Sequence, residues 1–264
     1  MRGILPRAIK LVADRKHQFE KDGWKHESHV SFLEIQNETI RDLLGESKTW
    51  KHQINQTKDG DNFVTNLTML ELQSQDTESV ENLLRRVSSD LVSTKSHSII
   101  TLHLTAFHAE QKKVLRGTLR LVDLASSERT TSSINKSLNS LSNVFDALSR
   151  KAKHVPFRDS KLTYLLQPCL NDDGRTLLLA NLSPNMNSIP ETMRTLRFAS
   201  RVCKHKSEDD SLHALKFSKG LNEHGLGFSK RYLDVTDDAV TAIISLKSGS
   251  IINLLNESRK KQVK

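Results

Sequence analysis

Three short stretches gather side chains that could do chemistry. STKSHS (93–98) sets hydroxyls and a lysine just before an apolar, strand-like run, and DLASSE (123–128) sets an acid and more hydroxyls just after another. An acid at the mouth of a strand, here Asp123, followed by small polar residues, is where α/β proteins place ligand chemistry. Hydroxyls from the first stretch and the aspartate of the second could hold a metal ion and its water, as in phosphoryl-transfer sites. Ordinary turn chemistry would use the same residues, because Ser and Thr favour strand ends and caps. The third stretch, SRKAKHVPFRDSKLTYLL (149–166), is a basic loop between helical patterns, either a binding patch or a solvated face.

These stretches need elements to hold them. A helical pattern over 4–21 (Ile4, Ile9, Val12, Phe19) stops at Gly23. In HVSFLEIQNETIRDLL (29–44), Val30, Phe32, Leu33 and Ile35 read as a strand, and Ile40, Leu43 and Leu44 then predict a short helical turn ended by Gly45. Residues 46–73 predict a small hairpin around Asp59-Gly60-Asp61, and 77–92 a helix opened by Thr77. SIITLHLTAF (98–107) and VLRGTLRLVDLA (114–125) predict an antiparallel hairpin turned at Glu110–Lys113. INKSLNSLSNVFDALSR (134–150) places Ile134, Leu138, Leu141, Phe145 and Leu148 on one helical face. A shorter helix (SKLTYLLQPCL), a strand (RTLLLANLSP) and a last helix (IPETMRTLRFASRVCK) follow. Beyond 206 the sequence is weakly patterned apart from DAVTAIISL (238–246), so the expected organisation is a domain over 1–206 and a weakly structured, partly disordered extension over 207–264.

Composition narrows the partners. A formal charge of +9 favours a polyanion: nucleic acid, an anionic membrane surface or an acidic protein polymer. With aromatics at 5% and no base-stacking or groove-reading motif, nucleic acid is disfavoured. No run approaches the roughly 18 apolar residues of a membrane span and the N-terminus lacks a secretory pattern, so a soluble, intracellular protein is expected. The two cysteines, Cys169 and Cys203, form no CxxC pair, which indicates neither a disulfide framework nor a zinc site.

Order and wording together carry more than each stretch alone. SFLEIQNETIRDLL (31–44) resembles the kinesin pattern S-Y/F-L/V-E-I-Y-N-E-x-I/V-R-D-L-L; STKSHS resembles switch I, S-S-R-S-H-S; and DLASSE resembles switch II, D-L-A-G-S-E. INKSL is similar to the start of the helix that faces the microtubule in that family, HVPFRDSKLTYLL to the adjoining loop and helix, and RTLLLANLSP and TLRFASRV to its last strand and helix. The resemblance covers residues 3–206, and GILPRAI, NETIRDLL and HSIITLHL are most similar to the C-terminal-motor branch. It implies an α/β fold: a partial kinesin-type motor domain with a central mixed β-sheet flanked by helices, the first strands and the phosphate loop missing.

The resemblance also implies roles. Ser93 and Thr94 stand at the switch I pair that helps to hold Mg²⁺ and water, with Asp123 near the metal, so Thr94 and Asp123 are the indirect Mg²⁺ positions. Lys95 and Glu128 take the places of the switch arginine and glutamate that close around ATP, and Ser126 that of the switch II glycine. Lys136, Arg150, Lys151, Lys153, His154, Arg158 and Lys161 match the contact with microtubules, an acidic tubulin surface. The implied setting is cytoplasmic and cytoskeletal, on microtubules and with the spindle as one such site; a second kinesin chain is an implied partner.

Several positions depart from the pattern. No G-x-x-x-x-G-K-S/T occurs, so the amides and lysine that cradle phosphates are expected to be absent; GLNEHGLGFSK from Gly220 has Leu226 where lysine must stand. Serine at 126 adds a Cβ where glycine permits close approach, and Lys95 lacks the planar fork of arginine. Gln36 replaces a tyrosine, and only TTSS separates Arg129 from Ile134. A sheet lacking an inner strand would expose apolar faces and edges, which predicts marginal stability. The expectation is a microtubule-binding kinesin-like protein with a defective ATPase site. The alternatives are an incomplete reading of an active minus-end-directed kinesin and, more remotely, a basic nucleic-acid binder.

Overall fold

The computed structural model describes residues 7–8, 11–12, 19–45, 51–58, 60–72, 96–125, 132–171, 175–182, 186–203, 216–218 and 240–246. The helix expected over 77–92 lies outside them. Residues 7–8, 11–12 and 19–21 are helical, and Gly23 turns the chain at φ +87° into strand β1 (Trp24–Gln36). Every residue of β1 from Val30 to Ile35 is buried, the mark of a strand covered on both faces.

The short helical turn expected after β1 is instead strand β2 (Thr39–Asp42), paired antiparallel with Leu33–Gln36. Asn37 (φ 51°) and Glu38 (φ 58°) both sit in the left-handed region, which makes a two-residue hairpin turn of the kind that matches strand twist. Ile40 then meets Ile35, and Leu43 and Leu44 cluster with Phe32, so their helix-like spacing reflects burial on a returning strand.

β3 (Ile54–Gln56) and β4 (Asn62–Val64) form the expected small hairpin, with Gly60 at φ +88°. β5 (Leu70–Glu71) adds to β1. β6 (His97–His108) and β7 (Lys113–Asp123) pair antiparallel along their whole length, the turn falling at Ala109–Lys112. Helix α1 (Ser132–Ser149), helix α2 (Lys161–Leu170), β8 (Arg175–Asn181) and helix α3 (Ile189–Cys203) follow as the periodicity predicts.

Residues assigned by sequence to the extension contribute two strands, β9 (Lys216–Ser218) and β10 (Val240–Leu246). The sheet runs β2-β1-β6-β7-β10-β8-β9, antiparallel at one side and parallel at the other. β10 therefore occupies an inner position: Val240–Ser245 pair with Thr118–Asp123 of β7, and Thr241–Leu246 with Arg175–Ala180 of β8. The sequence alone predicts exposed edges in a sheet lacking an inner strand. Here the inner edges of β7 and β8 are both paired by β10, whose β-branched run VTAIIS suits a strand with two parallel neighbours.

Register sorts the side chains onto two faces. Leu33, Ile35, Ile99 and Val122 pack with Leu141, Val144 and Phe145 of α1, Leu162, Leu165 and Leu166 of α2, and Ala199 and Val202 of α3. Phe145 and Phe198 meet edge to face at 6.2 Å, fixing α1 against α3. The opposite face carries Val30, Leu102, Leu119 and Leu121, with Ala8 packed on them. Each fully buried Leu or Phe of this kind contributes about 1.5–3 kcal/mol.

Candidate functional site

The end of the sheet where β1 stops, β6 begins and β7 stops carries the polar groups. Cross-strand pairing aligns Glu34, Ser98, Asp123 and Ser245 in one row over four adjacent strands. Glu34 and Asp123 are both buried, at 4% and 6% exposure. The Ser96 hydroxyl donates to Glu34, and Arg41 lies 3.6 Å from the same carboxylate. Alternation along β7 turns Asp123 away from α1 and turns Val122 toward it. The strand end thus separates a polar face from a helix-backed face.

Of the residues implied in nucleotide contact, Asp123 is placed at this polar end, while Ser93, Thr94, Lys95, Ser126 and Glu128 lie outside the described residues. Among the described residues no group of three or more His, Cys, Asp or Glu side chains could hold a metal. Asp123 alone does not make a Mg²⁺ site, and Ser98 beside it has a buried hydroxyl with no hydrogen-bond partner among the described residues.

On the other face, α1 begins with exposed Lys136 and buried Ser137. Arg150, Lys151, Lys153, His154 and Arg158 are exposed on the loop after α1, and Lys161 is half-buried at the first position of α2. Lys136 is separated from that loop by the length of α1, about 21 Å from Arg150 at ~1.5 Å per residue. The structure therefore groups the loop cations and sets Lys136 apart from them.

Four features hold the loop. Lys151 takes a left-handed conformation (φ 47°) just past α1; its N–H donates to Leu148 C=O and that of Ala152 to Ala147 C=O, both at 3.0 Å, closing the helix end. Phe157 is buried in the main core. Ser160 caps α2, its hydroxyl accepting from Thr163 N–H at 3.1 Å, while the Glu38 carboxylate accepts from Lys161 N–H at 2.7 Å. Arg158 lies over the Tyr164 ring at 5.4 Å. A cleft of about 260 Å³ opens between this loop and Gln56 of β3, with His154, Arg158 and Gln167 in its walls.

Sequence patterning did not single out the group beneath this loop. Arg120 of β7, 2% exposed, donates to Asp61 Oδ1 (3.1 Å), Asn62 C=O (3.0 Å) and Cys169 Sγ (3.1 Å). It ties the β3–β4 hairpin to α2 across the sheet. Burial pushes the Cys169 thiol up against the opposing pull of Arg120, so the sulfur meets Arg120 as a neutral acceptor. Burial also works against the Arg120 charge, but Cys169 and Asp61 together more than offset it and hold the guanidinium above its ordinary value. Of the two, Asp61 supplies the counter-charge. The available signal was Arg120 set within the apolar run Leu119–Val122 of β7.

A mixed sheet with a polar strand end on one face and a helix-backed basic loop on the other defines an α/β protein. The kinesin motor domain family matches residues 1–205, and the chain belongs to that family. The kinesin-like protein KIN-14M of Arabidopsis thaliana is 37% identical over 230 residues, which is 76% of this chain and 31% of that protein. The motor domain of the Saccharomyces cerevisiae kinesin-related protein KAR3 superposes with a TM-score of 0.69 at 37% identity, covering 76% of this chain and 67% of that one. The C-terminal motor and motor homology domain of Kar3Vik1, fused to a synthetic heterodimeric coiled coil, gives 0.70 at 39%, covering 76% and 57%. The chain spans about a third of the length of the curated relatives it matches. The fold is the expected kinesin-type α/β fold, and the similarity to the KIN-14 and Kar3 group agrees with the C-terminal-motor resemblance. ATP, Mg²⁺ and microtubule binding are properties of the kinesin family.

Proposed function

We propose that residues 1–264 bind microtubules through the loop after α1 and do not hydrolyse ATP on their own. The observation that carries the binding half is the exposed set Arg150, Lys151, Lys153, His154 and Arg158, held in place by Phe157, Ser160 and Glu38. Lys161 extends it onto α2, and Lys136, about 21 Å from Arg150 along α1, would make a separate contact. A basic patch on a rigid scaffold suits the acidic tubulin surface, attracts it over roughly a Debye length, and loses that attraction as salt rises.

The other half rests on the residue types present. Serine at 126 replaces the glycine of switch II, Lys95 replaces a forked arginine, and these residues contain no phosphate loop, so the electrostatic stabilisation on which phosphoryl transfer depends is depleted. Nucleotide and Mg²⁺, where bound, would meet Thr94 and Asp123. Such a chain acts as a microtubule-associated cytoskeletal protein, including on the spindle. It would pair with an active kinesin, as a motor homology domain accompanies a motor in Kar3Vik1.

Co-sedimentation with stabilised microtubules tests this. Binding should fall steeply between low and physiological salt, and reversing Arg150, Lys151 and Lys153 to Glu should weaken it by about tenfold or more, equivalent to at least ~1.4 kcal/mol. Microtubule-stimulated ATP turnover by this chain would overturn the second half of the proposal. Tighter retention on DNA than on microtubules would overturn the first.

A further inference from the structure

We propose that the gap between β7 and β8 is a peptide-binding slot for an extended, uncharged, β-branched segment, and that the chain fills it with its own residues 240–246 as a detachable ligand. Both walls have supports of their own. β7 is paired with β6 from Lys113 to Asp123, and β8 is tied to α2 through Thr176, whose hydroxyl donates to Cys169 C=O at 2.6 Å. Val122 of one wall and Leu178 and Ala180 of the other lie in the same buried cluster as Phe145 of α1 and Leu166 of α2. The helices therefore hold β7 and β8 about 9.6 Å apart, two strand spacings, with room for one strand between them.

Such a slot presents two facing rows of backbone donors and acceptors, so an extended segment laid in it is paired along both of its edges. Val240–Ser245 run in register with Thr118–Asp123, and Thr241–Leu246 with Arg175–Ala180. The occupant suits an inner strand: VTAIISL holds no charge, glycine or proline, and Val240, Thr241, Ile243 and Ile244 are β-branched. Asp237 and Asp238 stand before it and Lys247 directly after, so the uncharged run is only one residue longer than the paired stretch. β7 follows β6 through the turn at Ala109–Lys112, but β10 is reached from β9 only through residues 219–239. Neither a tight turn nor a crossover helix among the described residues ties β10 to its neighbours. Pairing and burial hold it, and a separate peptide can reproduce both.

Cutting that connection tests the slot in the full chain. With a protease site inserted within 219–239 and cleaved, the fragment that carries 240–264 should co-elute with the body at low micromolar concentration, leave in denaturant and return when the denaturant is removed. A labelled peptide of residues 238–248 should exchange into the nicked protein, and its Ile243→Pro version should bind at least about tenfold more weakly, because proline removes a ladder donor. Emptying the slot should speed amide exchange over 118–123 and 175–180 by about tenfold or more while leaving 30–35 of β1 unchanged. In the uncut chain Ile243→Pro should lower the unfolding temperature, and the unaltered peptide should restore it. A fragment that falls away from a body of unchanged unfolding temperature and exchange would overturn the proposal, as would equal binding of the two peptides. If the uncut chain is a dimer in which 240–246 of one copy sits in the slot of the other, the occupant is a second copy's segment and the assignment to the same chain fails. Should Ile243→Pro not fold at all, the nicked protein and its peptides still decide.

Discussion

Replacing Asp61 with asparagine leaves an oxygen in the same place, so the hydrogen bonds accepted from Arg120 (3.1 Å) and from the Asn62 N–H (2.9 Å) can survive and only the charge is removed. What remains is a guanidinium 2% exposed, with no counter-charge among the described residues. Breaking a buried pair in this way costs roughly 3–5 kcal/mol. Arg120→Met removes the opposite partner with a different consequence. The Asp61 side chain is 38% exposed and water can solvate it, so the main loss is the buried Asn62 carbonyl left without its donor, about 1–3 kcal/mol. Methionine also refills much of the volume beside Cys169. Asp61→Asn should therefore be the more damaging change by about 1–2 kcal/mol. Urea or thermal unfolding reads this directly, since 1 kcal/mol shifts the midpoint by roughly 2–4 °C in a domain of this size. Greater destabilisation by Arg120→Met would refute the reasoning, as would an Asp61→Asn variant as stable as the parent.

Lys151 at φ 47° bears a left-handed conformation that glycine accepts freely, so Lys151→Gly should raise stability by about 0.5–1 kcal/mol in thermal unfolding. The same change should weaken microtubule pelleting, and a loss of both properties would show that the backbone there is unstrained. His103 has its pKa lowered first by burial and then by the Arg120 charge, with His29 adding to the effect and Asp61 opposing it. The unfolded chain thus takes up a proton that the folded chain resists. This contribution is intact above the ordinary value of 6.5 and is lost as pH falls from there through the lowered folded value. Unfolding midpoints measured from about pH 7.5 down to about pH 5.5 should drop for the parent and drop less for His103→Gln; parallel curves would exclude His103 as the cause.

Much of this arrangement was legible because local pattern and global fold agree. The β6–β7 hairpin, α1 with Leu141 and Phe145 inward, and α2 opening at Ser160 all follow from apolar period and cap chemistry. β2 was misread because Ile40, Leu43 and Leu44 repeat at a helix-like interval, while the deciding information lay in Asn37 and Glu38 adopting positive φ. The basic loop was readable as charge. Its supports were not: Glu38 reaches Lys161, Arg120 reaches Asp61 and Cys169, and His97 reaches Ser137 across long stretches of intervening chain. Periodicity says which face a residue takes but not which distant residue meets it there. Likewise DAVTAIISL announced itself as a candidate strand without declaring its neighbours.

Those neighbours bear on the order of assembly. β10 lies between β7 and β8, yet all of α1, α2, β8 and α3 lies in the chain between β7 and β10. Synthesis delivers both flanking strands long before the strand that joins them, and closing so long a loop onto two parallel edges is slow. Until it closes, β7 and β8 each present an unpaired edge to whatever strand is nearby. The chain should thus have a slow last folding step with a window of aggregation risk, during which crowding by other nascent copies matters more than the final stability of the sheet.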